Sequence, residues 1–187
     1  MGEVRPINLG DEQLLTSSEA QGLERAVLTV RRATGAGRDI ARTLCGQLGV
    51  PVAEIPRSPR RYPIWPAGIT GSITHDAVFA AAVVAPADRF GGIGVDIEPA
   101  EPLAPGIHEL VGRAEEWASL SDLAFCDKAL FSIKEAVFKA VYPRHGIFLD
   151  FHDVTVAFGS RTATVTYGCV VHWRILTVPH VLAIAWW

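Results

Sequence analysis

Asp96 and Glu98 stand one residue apart at the end of a short apolar run, Ile93 to Ile97. In an extended chain alternate side chains share a face, so the two carboxylates project together. Two hard oxygen donors, completed by phosphate oxygens, suit Mg²⁺, with Mn²⁺ as an alternative ion. Some 35 residues on comes Phe131-Ser-Ile-Lys134-Glu135-Ala-Val-Phe138-Lys139. Glu135 and Lys139 are four apart and so are neighbours on a helix surface. The chain has only three lysines, and two of them, Lys134 and Lys139, lie in this segment. A third segment, Trp65-Pro-Ala-Gly-Ile-Thr-Gly71-Ser72-Ile-Thr74-His75, offers a glycine for close backbone approach. Beside it stand three side chains, Ser72, Thr74 and His75, able to bind phosphate oxygens.

Each segment alone has a plainer reading: a solvated strand end, a surface ion pair, a structural histidine. Together they supply a metal site, a candidate base, a cation and an anion cradle, which are the parts of phosphoryl transfer. Local charge agrees. Residues 31–61 hold seven arginines against Asp39 and Glu54, whereas residues 88–127 hold nine acids against Arg89 and Arg113. One stretch suits a polyanion and the other a cation, although such runs are also common on faces that bind nothing.

The ordered motifs resemble those of the 4′-phosphopantetheinyl transferases, more specifically the short bacterial, enterobactin-type branch. The family's patterns stand here as Trp65-Pro-x-Gly-x-x-Gly-Ser-x-Thr-His75, Gly94-Val-Asp96-Ile-Glu98 and Phe131-Ser-x-Lys-Glu135-Ala-x-Phe-Lys139. The resemblance runs from about Ser17 to the C-terminus. It implies two similar α+β subdomains about a pseudo-twofold axis, residues 1–92 and 93–187, with coenzyme A as the substrate held between them. It implies that Asp96, Glu98 and Glu135 hold Mg²⁺ against the pyrophosphate. Glu135 and Lys139 would be catalytic, the first helping to take a proton from a serine of an acyl or peptidyl carrier protein, the second neutralising the leaving 3′,5′-ADP. Arg31, Arg38, Arg57, Arg61, Ser72, Thr74, His75 and Lys139 would bind coenzyme A, with the choice among Arg57, Arg60 and Arg61 left open. Thr34 stands where the family has an aromatic residue, which implies a looser or differently filled adenine pocket.

Two other readings compete. A metal-dependent nuclease also uses separated carboxylates and a lysine, but Glu98 is followed by Pro99 rather than a strand lysine, and the net charge of −3 provides no broad basic surface. A catalytically inactive homologue that binds coenzyme A or a carrier domain would need no particular side chain at the metal-ligand positions, yet all are filled. Neither nucleic acid nor membrane is an expected partner: the longest apolar run, Ala77 to Ala87, is far shorter than a membrane span. Cys45, Cys126 and Cys169 are too few and too scattered for a disulfide framework or a CxxC metal pair. A cytoplasmic monomer is expected.

The elements that must carry these residues follow from periodicity. Ser17 and Ser18 before Glu19 and an apolar rhythm predict a helix over about 18–32, broken at Gly35 and Gly37, and a second helix from Arg38 to Leu48. Five prolines make 50–68 extended or loop. Strands are expected at 69–74, 78–85 and 93–97, and residues 100–122 read as irregular or partly helical. A helix over 127–141 is ended by Pro143, with Leu130, Ile133, Val137 and Val141 as its core stripe. Four strands follow at 154–158, 163–167, 170–176 and 181–186. The order is that of an α+β protein with a hint of duplication.

Overall fold

The computed structural model describes residues 1–121, 127–177 and 180–187. Cys126 lies outside them; Cys45 and Cys169 are free thiols. No helix of the described residues is long and apolar enough to cross a membrane. The chain is an α+β protein with two antiparallel sheets. It divides into two compact units, Met1–Gly91 and Gly92–Trp187.

The first unit has strand β1 (Gly2–Pro6), helix α1 (Leu28–Gln47), β2 (Ile69–His75) and β3 (Phe79–Pro86), in sheet order β1-β3-β2. Its core sets Ile40 and Leu44 of α1 against Ala80, Ala82 and Val84 of β3, with Ile55 from the proline-rich loop. Two expectations fail here. The cap at the start of residues 18–32 is made by Thr16 rather than by Ser17 or Ser18: Thr16 N–H donates to Glu19 and Glu19 N–H donates to the Thr16 hydroxyl. Yet only turns follow as far as residue 26, and the helix begins at Leu28, because Glu19 is drawn inward, where it accepts from Ile55 N–H at 2.8 Å and pairs with Arg42. Nor do Gly35 and Gly37 break the chain. They lie inside one 20-residue helix, where a Cβ at 35 would overlap the Asp11 carbonyl and one at 37 would meet Ile73 at 2.5 Å. Close packing chose these glycines. Strand β1 had no sequence signal, being a mostly exposed edge with charges at Glu3 and Arg5.

The second unit has β4 (Ile93–Pro99), the short helices α2 (His108–Val111) and α3 (Ala114–Ser121), and the long helix α4 (Lys128–His145). Strands β5 (Val154–Ala157), β6 (Thr162–Val165), β7 (Val170–Leu176) and β8 (His180–Trp186) complete it. Its sheet order is β4-β8-β7-β6-β5, so β4 is an edge. The predicted α4 stripe is fully buried, packed on alternate residues Val181, Ala183 and Ala185 of β8 and on Trp173. Pro143 does not end α4. The helix runs on to His145 and stops at Gly146, whose φ of 67° is the left-handed conformation that closes helices.

Candidate functional site

In the first unit, α1 carries Arg31 and Arg38 seven residues apart, hence on one face. A turn supplies Arg57 and Arg61. Arg57 bridges to Pro63, Ser58 N–H donates to the Tyr62 carbonyl at 2.8 Å, and Arg61 sits at φ 74°. Thr34, Arg38, Arg57, Arg61, Pro63, Ile73 and His75 line a cavity of about 120 Å³. Arg60 is exposed and is not among them. β2 separates the remaining expected anion binders by its alternation. His75 and Ile73 share the cavity side, while Ser72 and Thr74 are buried on the opposite face. Arg31 does not line the cavity either; its Nε is buried without a hydrogen bond among the described residues.

The electrostatics of this cavity are those of an anion site. Arg38 is only 3% exposed, and its Nη1 has no hydrogen-bond partner among the described residues. Burial lowers its pKa from the usual guanidinium value to about 10; Glu19 opposes this shift, and the neighbouring Arg57 and Arg42 add to it. Arg57 is lowered in turn by burial and by Arg61. Cations crowded and desolvated together are stabilised by a bound anion.

In the second unit, β4 presents Asp96 and Glu98 toward α4, as the one-residue spacing predicted. Lys139 Nζ donates to Asp96 Oδ1 at 2.6 Å. Lys128 Nζ donates to Glu98 Oε2 at 2.7 Å. Glu135 is held above the usual glutamate range, first by burial and then by the fields of Asp96 and Glu98, with Lys139 pulling the other way. Glu135 also lines a largely apolar cavity of about 300 Å³ with Phe138, Phe148, Leu149 and Phe151. Such a carboxyl is suited to accept a proton from a neutral hydroxyl.

Among the described residues, no three acidic, histidine or cysteine side chains are already gathered as ligands about one point. The chemistry of the donor set nevertheless fits a hard divalent ion. Three carboxylates from β4 and α4 act on one another electrostatically, and their excess negative charge is only partly met by two lysines.

Two features were not expected from the sequence. Lys128 lies seven residues before Glu135 and eleven before Lys139, a spacing that puts all three on one helical stripe; that spacing was the available signal. Lys134, counted with the chemistry, is instead buried at 1% exposure. It pairs with Glu116 at 2.9 Å and donates to the Phe151 carbonyl at 3.0 Å. No local pattern marks Glu116 as its partner.

Comparison with known proteins places both units. Residues 18–85 match the family model of the 4′-phosphopantetheinyl transferase N-terminal domain, and residues 92–185 that of the 4′-phosphopantetheinyl transferase superfamily. The chain is 37% identical over 159 residues to the 4′-phosphopantetheinyl transferase Svp of Streptomyces mobaraensis, covering 82% of this chain and 65% of that one. It is 35% identical over 165 residues to the transferase Npt of Nocardia iowensis, covering 87% and 74%. Enterobactin synthase component D of Salmonella typhimurium is 34% identical over 126 residues, 64% of this chain and 48% of that protein. The chain thus spans just under two thirds of the Streptomyces relative.

Proposed function

The chain belongs to the 4′-phosphopantetheinyl transferase superfamily, and on that premise we propose that it transfers the 4′-phosphopantetheine arm of coenzyme A to a serine of an acyl or peptidyl carrier protein. The observation that carries this reading is the juxtaposition of β4 and α4: Asp96 and Glu98 beside the half-buried, proton-favouring Glu135, with Lys139 within reach.

Glu135 takes the proton of the carrier serine as its oxygen attacks the β-phosphorus of coenzyme A. The new serine O–P bond forms as the pyrophosphate P–O bond breaks, and the electron pair leaves on 3′,5′-ADP. Lys139 offsets the charge that gathers on that leaving group. Asp96, Glu98 and Glu135 would hold Mg²⁺, which when bound supplies charge neutralisation at the pyrophosphate. Arg38, Arg57 and Arg61, with His75 beside them, bind the 3′-phosphate end, the role the crowded positive charge of the arginines fits. Enterobactin synthase component D is named for a siderophore pathway, so a carrier domain of a peptide or polyketide synthase is a natural first substrate. The reading is of a cytoplasmic monomer.

The test is mass spectrometry of an apo carrier protein incubated with the chain, coenzyme A and Mg²⁺. A gain of about 340 Da, one phosphopantetheine arm, is expected. It should vanish with EDTA and with Glu135→Ala. Coenzyme A binding without any mass gain on fatty-acid, polyketide and peptide carriers would make the chain a binding homologue instead.

A further inference from the structure

The third lysine of the chain carries an inference beyond that reading, though it rests on the carboxylate site it assigns. Lys128, Glu135 and Lys139 form one stripe of α4, and the two lysines are paired with the two acids of β4, Lys128 with Glu98 and Lys139 with Asp96. The Lys128–Glu98 pair is a partly buried contact of 2.7 Å, with side-chain exposures of 20% and 25%, so solvent screens it only in part. Three carboxylates and two ammonium groups leave the cluster with one net negative charge. That is too little to draw a free divalent ion strongly.

We propose that Lys128 is a tethered cation that holds Glu98 and sets the affinity of the site for divalent ions. An ion approaching Glu98 must displace the Lys128 ammonium from Oε2 or accept it as a positive neighbour. Either course weakens binding of the bare ion. The anionic pyrophosphate of the substrate supplies the missing negative charge, so ion and substrate load together. Lys128 is thus a positioning residue. Its work is to occupy Glu98 and to prevent the site from filling with metal alone.

The test measures Mn²⁺ binding directly, by the electron paramagnetic resonance signal of the free ion, with the full chain and no coenzyme A. Lys128→Met should bind Mn²⁺ about tenfold more tightly at low salt, the effect of removing one charge near a divalent ion across screened solvent. Lys128→Arg should bind as the parent does, and Lys128→Gln should repeat the methionine result should that variant fold poorly. The gain should shrink as salt is raised. Unchanged or weaker binding in Lys128→Met and Lys128→Gln, with Glu98→Gln weakened as expected, overturns the role of Lys128 alone. Parent-like Mn²⁺ binding in Asp96→Asn and Glu98→Gln overturns the carboxylate site, and the Lys128 role with it.

Discussion

The Cα of Gly94 lies flush against the carbonyl oxygen of Ala136, so closely that a Cβ at 94 would overlap it and stand 2.7 Å from Ala140 N. Gly94 is two residues before Asp96, and Ala136 follows Glu135. The glycine therefore sets the spacing at which β4 delivers its carboxylates to α4. The neighbouring Gly92 repeats the relationship against the Ala140 carbonyl and the Trp187 indole.

Gly94→Ala should accordingly cost about 2 kcal/mol of stability, since backbone on both sides must shift to admit the methyl group. Carrier modification should fall by more than that loss explains under conditions where the variant is still folded. Gly46→Ala is the control: nothing lies within 4 Å of the place its Cβ would take, and alanine there should raise stability by about 0.5–1 kcal/mol. Equal activity of the folded Gly94→Ala variant and the parent would sever the link between this contact and the site.

The buried Lys134–Glu116 pair makes a second prediction. Glu116 also accepts from Arg113 N–H at 2.9 Å and Val156 N–H at 2.8 Å, so one carboxylate ties α3, α4 and β5 together. Burial lowers the Lys134 pKa while the Glu116 contact supports its charge. Lys134→Met should cost about 3 kcal/mol by leaving the carboxylate buried without its cation. Adding Glu116→Gln should cost much less than the two single losses combined, with a coupling of about 1–3 kcal/mol in urea unfolding. Additive losses would mean the pair is not an energetic unit.

Arg61 sits at φ 74°, a conformation that costs an L-residue about 1–2 kcal/mol and costs glycine little. Arg61→Gly should therefore be more stable than Arg61→Ala by about 1 kcal/mol, although both lose the same charge from the cavity. Coenzyme A affinity should drop in both. Equal stability of the two variants would show that the backbone relaxes when the side chain is lost.

What was legible in the sequence had a short-range signature. The D-x-E spacing put Asp96 and Glu98 on one face, and the 3.6-residue rhythm of Leu130, Ile133, Val137 and Val141 located the α4 core face. The errors came where tertiary contact overrides local preference. Gly35 and Gly37 read as breakers, yet their missing side chains admit Asp11 and Ile73. Pro143 read as a stop, but near a helix C-terminus it removes only one donor, and Gly146 sets the true end. Ser72 and His75 are near in sequence, yet the pleat of β2 turns them to opposite faces, which is a matter of strand register and not an error in either residue's reading. The Glu116–Lys134 pair spans 18 residues between two helices, a distance at which no periodicity points from one partner to the other.

Arg38 makes the sharpest trade between stability and binding. A cation whose pKa is lowered on folding, to about 10, burdens the native state wherever both states are protonated. That burden is present in full below about pH 10 and lifts only as pH rises above it, so at neutral pH it is undiminished. Arg38→Met removes the charge but keeps much of the packing. The variant should be more stable than the parent at pH 7, by something of the order of 1–3 kcal/mol once the lost contacts are set against the relieved desolvation. It should also lose the rise in melting temperature that coenzyme A or inorganic phosphate gives the parent, since a ligand stabilises only the state it binds. Thermal unfolding of both proteins, with and without each anion, reads the two effects separately. A less stable Arg38→Met, or one that phosphate stabilises as much as the parent, would mean that Arg38 is satisfied within the fold and that the anion site lies elsewhere.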